Sequence, residues 1–268
     1  MNLIGENKNP ERPSVGGTQA IARAAALLRE IASSGHNSCA MADLAARVGL
    51  ERPTAYRILQ RLSVEGLVTQ DPTTRGYVLG PLLYELGLAA KPPLQLHSIA
   101  TEATMKLAQD SGDTAYAIVR TGLDSLCIDR QEGDYPVKAL MMNTGRRRPM
   151  GIGAGSLALL AALPAAEGYS VLQANAVRLR AAGEGNLDEL TTEVERYRQQ
   201  GYALRAPVEA PEILSLSIAV CNAYGAPVLA LSISALKFRI EQRQALLVAL
   251  LQKVRQGIQK QLLTTKVN

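Results

Sequence analysis

From Arg52 to Glu65 the chain carries Arg52, Arg57 and Arg61 with no acid between Arg52 and Glu65. At helical spacing Pro53, Tyr56, Arg57 and Gln60, flanked by Thr54 and Arg61, share a surface of donors and long side chains that can reach base edges and phosphates in a major groove. The opposite surface, Ala55, Ile58, Leu59 and Leu62 at i, i+3, i+4 and i+7, is an apolar stripe that packs on the body. A second run, Arg146 to Ser156 (RRRPMGIGAGS), is rich in glycine and leads into a helix. Backbone N–H groups at a helix start hold a carboxylate, and glycines let it approach. Ala154, Gly155 and Ser156 are the expected anion-binding amides; a close-packed helix start without ligand is the alternative. The run lacks the third glycine of a dinucleotide fingerprint and the lysine of a phosphate loop.

The elements that would position the cationic surface form a winged helix-turn-helix. Met41, Leu44, Ala45 and Val48 recur at helical spacing, Gly49 ends that helix, and Pro53 suits the first turn of the next, with Glu51 favourable to its dipole. After Glu65-Gly66, strands at 67–69 and 77–79 flank the turn-rich Asp71–Gly76, whose Arg75 is placed to meet phosphates. Small three-helix modules with hairpins also serve as protein-interaction units, but the sign pattern of the second helix favours DNA. Thr18 can cap a first helix in which Ile21, Ala24, Ala25, Leu28 and Ile31 share a face.

Residues 1–17 read as a disordered arm, with Arg12 its candidate minor-groove contact, and 18–80 as the DNA-binding domain. Pro81 opens a linker helix, interrupted at Lys91-Pro92-Pro93, so 81–93 is the linker. From 94 to 268 helices alternate with strands in an α+β domain. Helices are expected at 96–111, 156–162, 167–174, 186–200 and 240–263. Strands are expected at 114–119, 125–130, 137–142, 215–221 and 228–233. In the last helix Leu247, Leu250, Leu251, Val254, Ile258 and Leu262 form a stripe that would cover the sheet or a partner subunit.

A chain of 268 residues with 29 cations and 24 anions, net charge +5, fits an anionic partner without demanding one. Its three cysteines are odd in number and far apart, so a disulfide framework and a thiolate zinc site are not expected, and the cytoplasm is the natural compartment. No stretch approaches the roughly 18 apolar residues of a membrane span, and the first residues lack an apolar signal core. With His36 and His97 alone, and no hydrolase or metalloprotease motif, an enzyme is not expected. Asp124, Asp129, Glu132 and Asp134 read as a solvated hairpin rather than a metal site, and no cofactor is implied.

Several strings, in order, resemble the IclR family of bacterial transcriptional regulators. They are Ala20-Ile21-Ala22-Arg23-Ala24, Asp43-Leu44-Ala45, Val48-Gly49-Leu50, Thr54-Ala55-Tyr56-Arg57-Ile58-Leu59, Glu65-Gly66-Leu67-Val68 and Tyr77-Val78-Leu79-Gly80-Pro81. Gly145, Arg147 and Pro149 ahead of Ala158, then Gly201-Tyr202-Ala203 and Leu231-Ser232-Ile233-Ser234, extend the resemblance across nearly the whole chain.

The resemblance implies a two-domain α+β chain whose second domain is a GAF-like effector domain. It also implies a dimer or dimer of dimers on a palindromic or pseudo-palindromic operator, answering a small carboxylated or aromatic metabolite. Carried over position by position, a cysteine of some members falls on Ser215 and two serines fall on Ser232 and Ser234. An acidic residue of some members falls on Arg205, a reversal of charge that favours an anionic ligand through a bidentate contact if Arg205 faces the pocket. Leu140, Met141, Met142, Ile152 and Ile213 are candidate apolar walls. The alternative is a ligand-independent DNA-binding or dimerisation protein with a vestigial effector domain.

Overall fold

Helices α1 (Gln19–Ser33), α2 (Met41–Val48) and α3 (Arg52–Val64) close around Leu27, Ile31, Leu44, Leu59 and Leu62. Gly49 takes the left-handed conformation (φ 68°) that ends α2 and starts the turn into α3. Strands β1 (Val68–Gln70) and β2 (Tyr77–Leu79) pair antiparallel as a wing, tied to the body where Cys39 and Tyr77 exchange backbone hydrogen bonds of 2.9 and 2.8 Å. α1 departs from its expected pattern. Its buried face runs through Leu27 and Ile31, whereas Ile21 is 69% exposed and Thr18 makes no side-chain cap. α4 (Pro81–Ala89) follows the wing and buries none of its side chains.

This computed structural model describes residues 18–34, 38–89 and 94–264. The expected arm at 1–17, His36, the Lys91-Pro92-Pro93 break and the last four residues lie outside them. The chain forms two compact units that divide after Ala90. Among the described residues, no helix is long and apolar enough to cross a membrane.

The second unit is a six-stranded antiparallel sheet in the order β5-β4-β3-β8-β7-β6. Its strands are β3 (Thr114–Thr121), β4 (Asp124–Gln131), β5 (Arg147–Pro149), β6 (Ala203–Arg205), β7 (Ile213–Cys221) and β8 (Pro227–Leu236). One face is covered by α5 (Leu94–Ser111) and α9 (Lys237–Thr264), through Leu107, Ile240, Leu247 and Leu251 against Leu216, Ile218 and Leu231. The stripe on α9 therefore packs on the sheet. α6 (Ala154–Ala162), α7 (Ala165–Ala181) and α8 (Leu187–Gln200) cover the other face through Leu157, Leu160, Leu172, Leu190 and Val194. Because both faces are covered, β7 and β8 are buried almost throughout, and their apolar sequence is broken by Ser215, Ser217, Ser232 and Ser234.

The strand expected at 137–142 is not one. β5 takes the place beside β4, pairing Asp124, Ser125 and Leu126 with Pro149, Arg148 and Arg147. The carbonyls of Ala139, Met141 and Met142 accept instead from the side chains of Tyr116, Arg148 and Arg130. The segment is thus pinned as a loop by side chains, with no ladder to join.

Candidate effector pocket and nucleic-acid interface

Two rows of side chains cross the sheet on the face toward α6. Register sets Thr114, Ser234, Ser215 and Arg205 side by side across β3, β8, β7 and β6, and two residues along it sets Tyr116, Ser232, Ser217 and Ala203. Residues opposite one another in antiparallel strands project to the same face. The serine hydroxyls pair among themselves: Ser215 Oγ lies 2.7 Å from Ser234 Oγ, Ser232 donates to Ser217 at 2.8 Å, and Ser217 donates to the Leu231 carbonyl at 2.8 Å, whereas the buried Thr114 hydroxyl has no hydrogen-bond partner among the described residues.

α6 enters above these rows from Gly151 (φ 112°) and Gly153 (φ 79°). A Cβ on Gly155 would lie 2.3 Å from Ile118 Cδ1 and 3.1 Å from Ser232 Oγ, so the glycine lets the helix settle onto β3 and β8. The Ser156 hydroxyl accepts the Gly151 N–H at 2.5 Å and thereby fixes the entry loop. The N–H groups of Ala154, Gly155 and Ser156 have no acceptor among the described residues, as the first turn of a helix leaves them.

Between α6 and the serine rows lies a cavity of ≈ 500 Å³, its open mouth included. Ile118, Met141, Met142, Ile152 and Pro207 supply its apolar wall; Ser125, Ser215, Ser232, Ser234, Arg148 and Arg205 supply polar groups. Tyr116 holds the 137–142 loop against it, its hydroxyl donating to the Ala139 carbonyl and accepting the Met141 N–H at 2.9 Å, and burial pushes its phenol up to about 12.

Arg205 faces the cavity, but its guanidinium is already engaged. Nη1 meets Glu193 at 2.7 Å and Nη2 meets Glu184 at 2.8 Å. The bidentate contact expected of it is therefore made to the protein's own carboxylates. Glu184 sits almost fully buried, and burial raises its carboxyl above the ordinary value against the pull of Arg205.

In the first unit, α3 buries Ala55, Leu59 and Leu62 and exposes Arg52, Pro53, Tyr56, Arg57, Gln60 and Arg61, with Thr54 half-buried. Among the described residues Arg52 and Arg57 form no ion pair, whereas Arg61 reaches back to Glu65 one turn on. At the wing, Asp71 accepts the N–H groups of Thr73 and Thr74 at 2.9 and 2.7 Å, bonds that hold its carboxyl below the usual range. Arg75 at the tip is exposed and is the one non-glycine residue with positive φ (60°) among those described.

Two family descriptions match this chain: "IclR helix-turn-helix domain" over residues 20–72 and "Bacterial transcriptional regulator IclR C-terminal" over 91–260. The chain belongs to the IclR family. It is thus a transcriptional regulator of a family whose members bind DNA and small-molecule effectors and are not enzymes. The glycerol operon regulatory protein of Streptomyces griseus is 39% identical over 98 residues, a match that spans only 37% of this chain and 38% of that protein. The HTH-type transcriptional regulator XynR of Escherichia coli is 25% identical over 203 residues, 75% of this chain and 80% of that one. A crystal structure of an IclR homolog from Microbacterium hydrocarbonoxydans complexed with 4-hydroxybenzoate shares the fold at a TM-score of 0.68 and 19% identity, covering 92% of this chain and all of the other.

Within the IclR effector domain, Ala154, Gly155, Ser156, Arg205, Ser215, Ser232 and Ser234 come together around the cavity. Ile213 does not: it is buried two positions before Ser215 on β7, outside the lining. Of the expected apolar walls, Met141, Met142 and Ile152 line the space and Leu140 is 52% exposed. Sequence reasoning missed Tyr116, Ser125, Arg148 and Pro207. Period-two alternation along 114–119 could have put Tyr116 and Ile118 on one face, but Arg148 hides in a run of three arginines and reaches the cavity only through the Ser125–Arg148 register.

Proposed function

We propose that this chain binds a palindromic or pseudo-palindromic operator as a dimer or dimer of dimers, in the cytoplasm, and that a small carboxylate, aromatic or hydroxylated, modulates that binding. The observation that carries the ligand reading is a cavity lined both by the three unpaired α6 amides and by the serine hydroxyls of β7 and β8. In this reading the amides of Ala154, Gly155 and Ser156 hold the carboxylate, and Ser215, Ser232 and Ser234 address a second polar group. The 4-hydroxybenzoate complex of the Microbacterium homolog supports a ligand of that kind, as its acid and its hydroxyl lie at opposite ends of a flat apolar ring.

On the DNA side, Arg57, Gln60 and Tyr56 face base edges while Arg52, Pro53, Thr54 and Arg61 border the phosphates. Arg75 meets the backbone from the wing. An arginine held at φ 60°, where glycine would be cheaper by roughly 1–2 kcal/mol, fits a residue kept for its charge. Self-association is supported by α4, whose Tyr84, Leu86 and Leu88 are all more than half exposed.

The test is titration of the full chain onto its own upstream intergenic DNA at two salt concentrations, with and without a panel of aromatic and aliphatic carboxylates. Specific, salt-sensitive binding that one acid alters is expected. Binding indifferent to every acid would leave the DNA reader and favour a ligand-independent protein with a vestigial effector domain.

A further inference from the structure

We infer that Arg148, rather than Arg205, is the cation that receives the effector's carboxylate, and that Glu209 occupies it until the effector arrives. This rests on the effector-pocket reading above and assigns the charged contact within it.

Two guanidinium groups line the cavity, and their partners differ in kind. Arg205 is held by Glu193 at 2.7 Å and Glu184 at 2.8 Å, and its Nη2 also lies 3.4 Å from the Glu184 carbonyl. Both carboxylates sit on fixed backbone. Glu193 belongs to α8, and Glu184 closes the turn after α7 by donating its N–H to the Leu179 carbonyl at 3.0 Å. Both Nη groups of Arg205 are thus taken by the protein's own carboxylates, and an entering anion would have to displace one of them.

Arg148 has one carboxylate at ion-pair distance, Glu209, whose Oε1 lies 3.1 Å from Nη2, while Glu184 acts on it only from farther off. The same nitrogen donates to the Met141 carbonyl at 2.8 Å, while Nε and Nη1 have no acceptor among the described residues. Glu209 is 53% exposed and stands on the irregular segment 206–212 between β6 and β7. So exposed a partner holds weakly and returns to water without penalty. Arg148 itself is only 12% exposed, so it cannot be left without an anion. A ligand carboxylate that displaces Glu209 from Nη2 and also takes the open nitrogen beside it, Nε on one edge or Nη1 on the other, gains a fork-shaped contact the glutamate does not make. The exchange leaves the charge around Arg148 unchanged: one carboxylate leaves as another enters. Glu209 is in this sense a positioning residue, an internal stand-in that keeps the cation compensated while the cavity is empty.

The experiment is calorimetric titration of the full chain with benzoate, 4-hydroxybenzoate, pyruvate and gluconate as probes, using wild type, Glu209→Gln, Arg148→Gln and the double variant. Glu209→Gln removes the competitor, and tightening by about threefold or more is expected from the loss of an exposed ion pair. Arg148→Gln should weaken the same probe by about tenfold or more. The double variant should match Arg148→Gln, because Glu209 then has nothing to compete for. If Arg148→Gln fails to fold, Glu209→Gln and Glu209→Ala carry the test alone through the sign of their effect. Unchanged or weaker binding in Glu209→Gln, or a Glu209 effect that persists without Arg148, overturns the inference. A probe that binds wild type and Arg148→Gln alike also overturns it while leaving the pocket reading intact, whereas binding of no probe to any variant overturns both.

Discussion

Arg205→Met removes the cation between Glu184 and Glu193 at nearly constant side-chain length. Glu184, 2% exposed, is left as a buried carboxylate with the weaker pull of Arg148 as its remaining compensation. Breaking a buried pair in this way costs about 3–5 kcal/mol at neutral pH; Glu193, a third exposed, adds little. For a unit of this size the loss lowers Tm by about 6–20 °C. The loss should also depend on pH with a definite sign. Burial raises the Glu184 carboxyl above its ordinary value and Arg205 opposes it, so removing Arg205 raises it further. A carboxyl whose folded value lies above its unfolded value favours the fold below the unfolded value, and that advantage is lost as pH rises through the folded one. The deficit of Arg205→Met relative to wild type should therefore be small near pH 4.5 and grow toward neutrality. Urea unfolding at about pH 5 and about pH 7.5, with Glu184→Gln and the double variant alongside, measures it. The double variant should recover most of the loss, since no buried charge remains. A loss under about 1 kcal/mol, or one equal at both pH values, would refute the reasoning.

Other outcomes follow from the same geometry. Arg57→Ala should weaken operator binding by about 1–3 kcal/mol and relax preference at one base position in a competition assay against altered operators; equal loss on all DNA would make it a phosphate contact. Arg75→Gly should move two quantities in opposite directions, raising stability by about 1 kcal/mol through relief of the left-handed backbone while flattening the salt dependence of DNA binding by about one unit of slope. Gly155→Ala should cost about 1–3 kcal/mol in denaturant unfolding, because its methyl must push Ile118 aside, and should weaken any carboxylate that binds the cavity. Tyr84→Glu on α4 should lower the sedimentation coefficient if that exposed face joins two copies.

The first unit was legible because its signals are local. Gly49, Pro53 and the i, i+3, i+4 stripes are set by residues a few positions apart, and the structure places the ends of α2 and α3 where they point. The sheet was legible as strands but not as a surface. Nothing in the order of residues says that β3 lies beside β8 rather than elsewhere, and that pairing is what brings Tyr116 to Ser232. The 137–142 segment misled because its apolar residues suit an edge strand, while the decisive facts, the Tyr116 hydroxyl and the Arg148 bond to the Met141 carbonyl, lie on other strands. Resemblance located Ser215, Ser232 and Ser234, yet it could not say that Glu184 and Glu193 would close on Arg205. That depends on where α8 packs.

The serines under the cavity satisfy one another: Ser215 with Ser234, and Ser232 with Ser217. Strong rejection of an analogue arises where a missing hydroxyl strands a buried polar group. Among these serines nothing is stranded, because a guest without a hydroxyl leaves each pair closed. If the cavity holds a carboxylate as proposed, discrimination at the serines falls to shape and to the modest gain of reopening a pair, and the chain should answer to a graded set of related acids rather than to a single molecule.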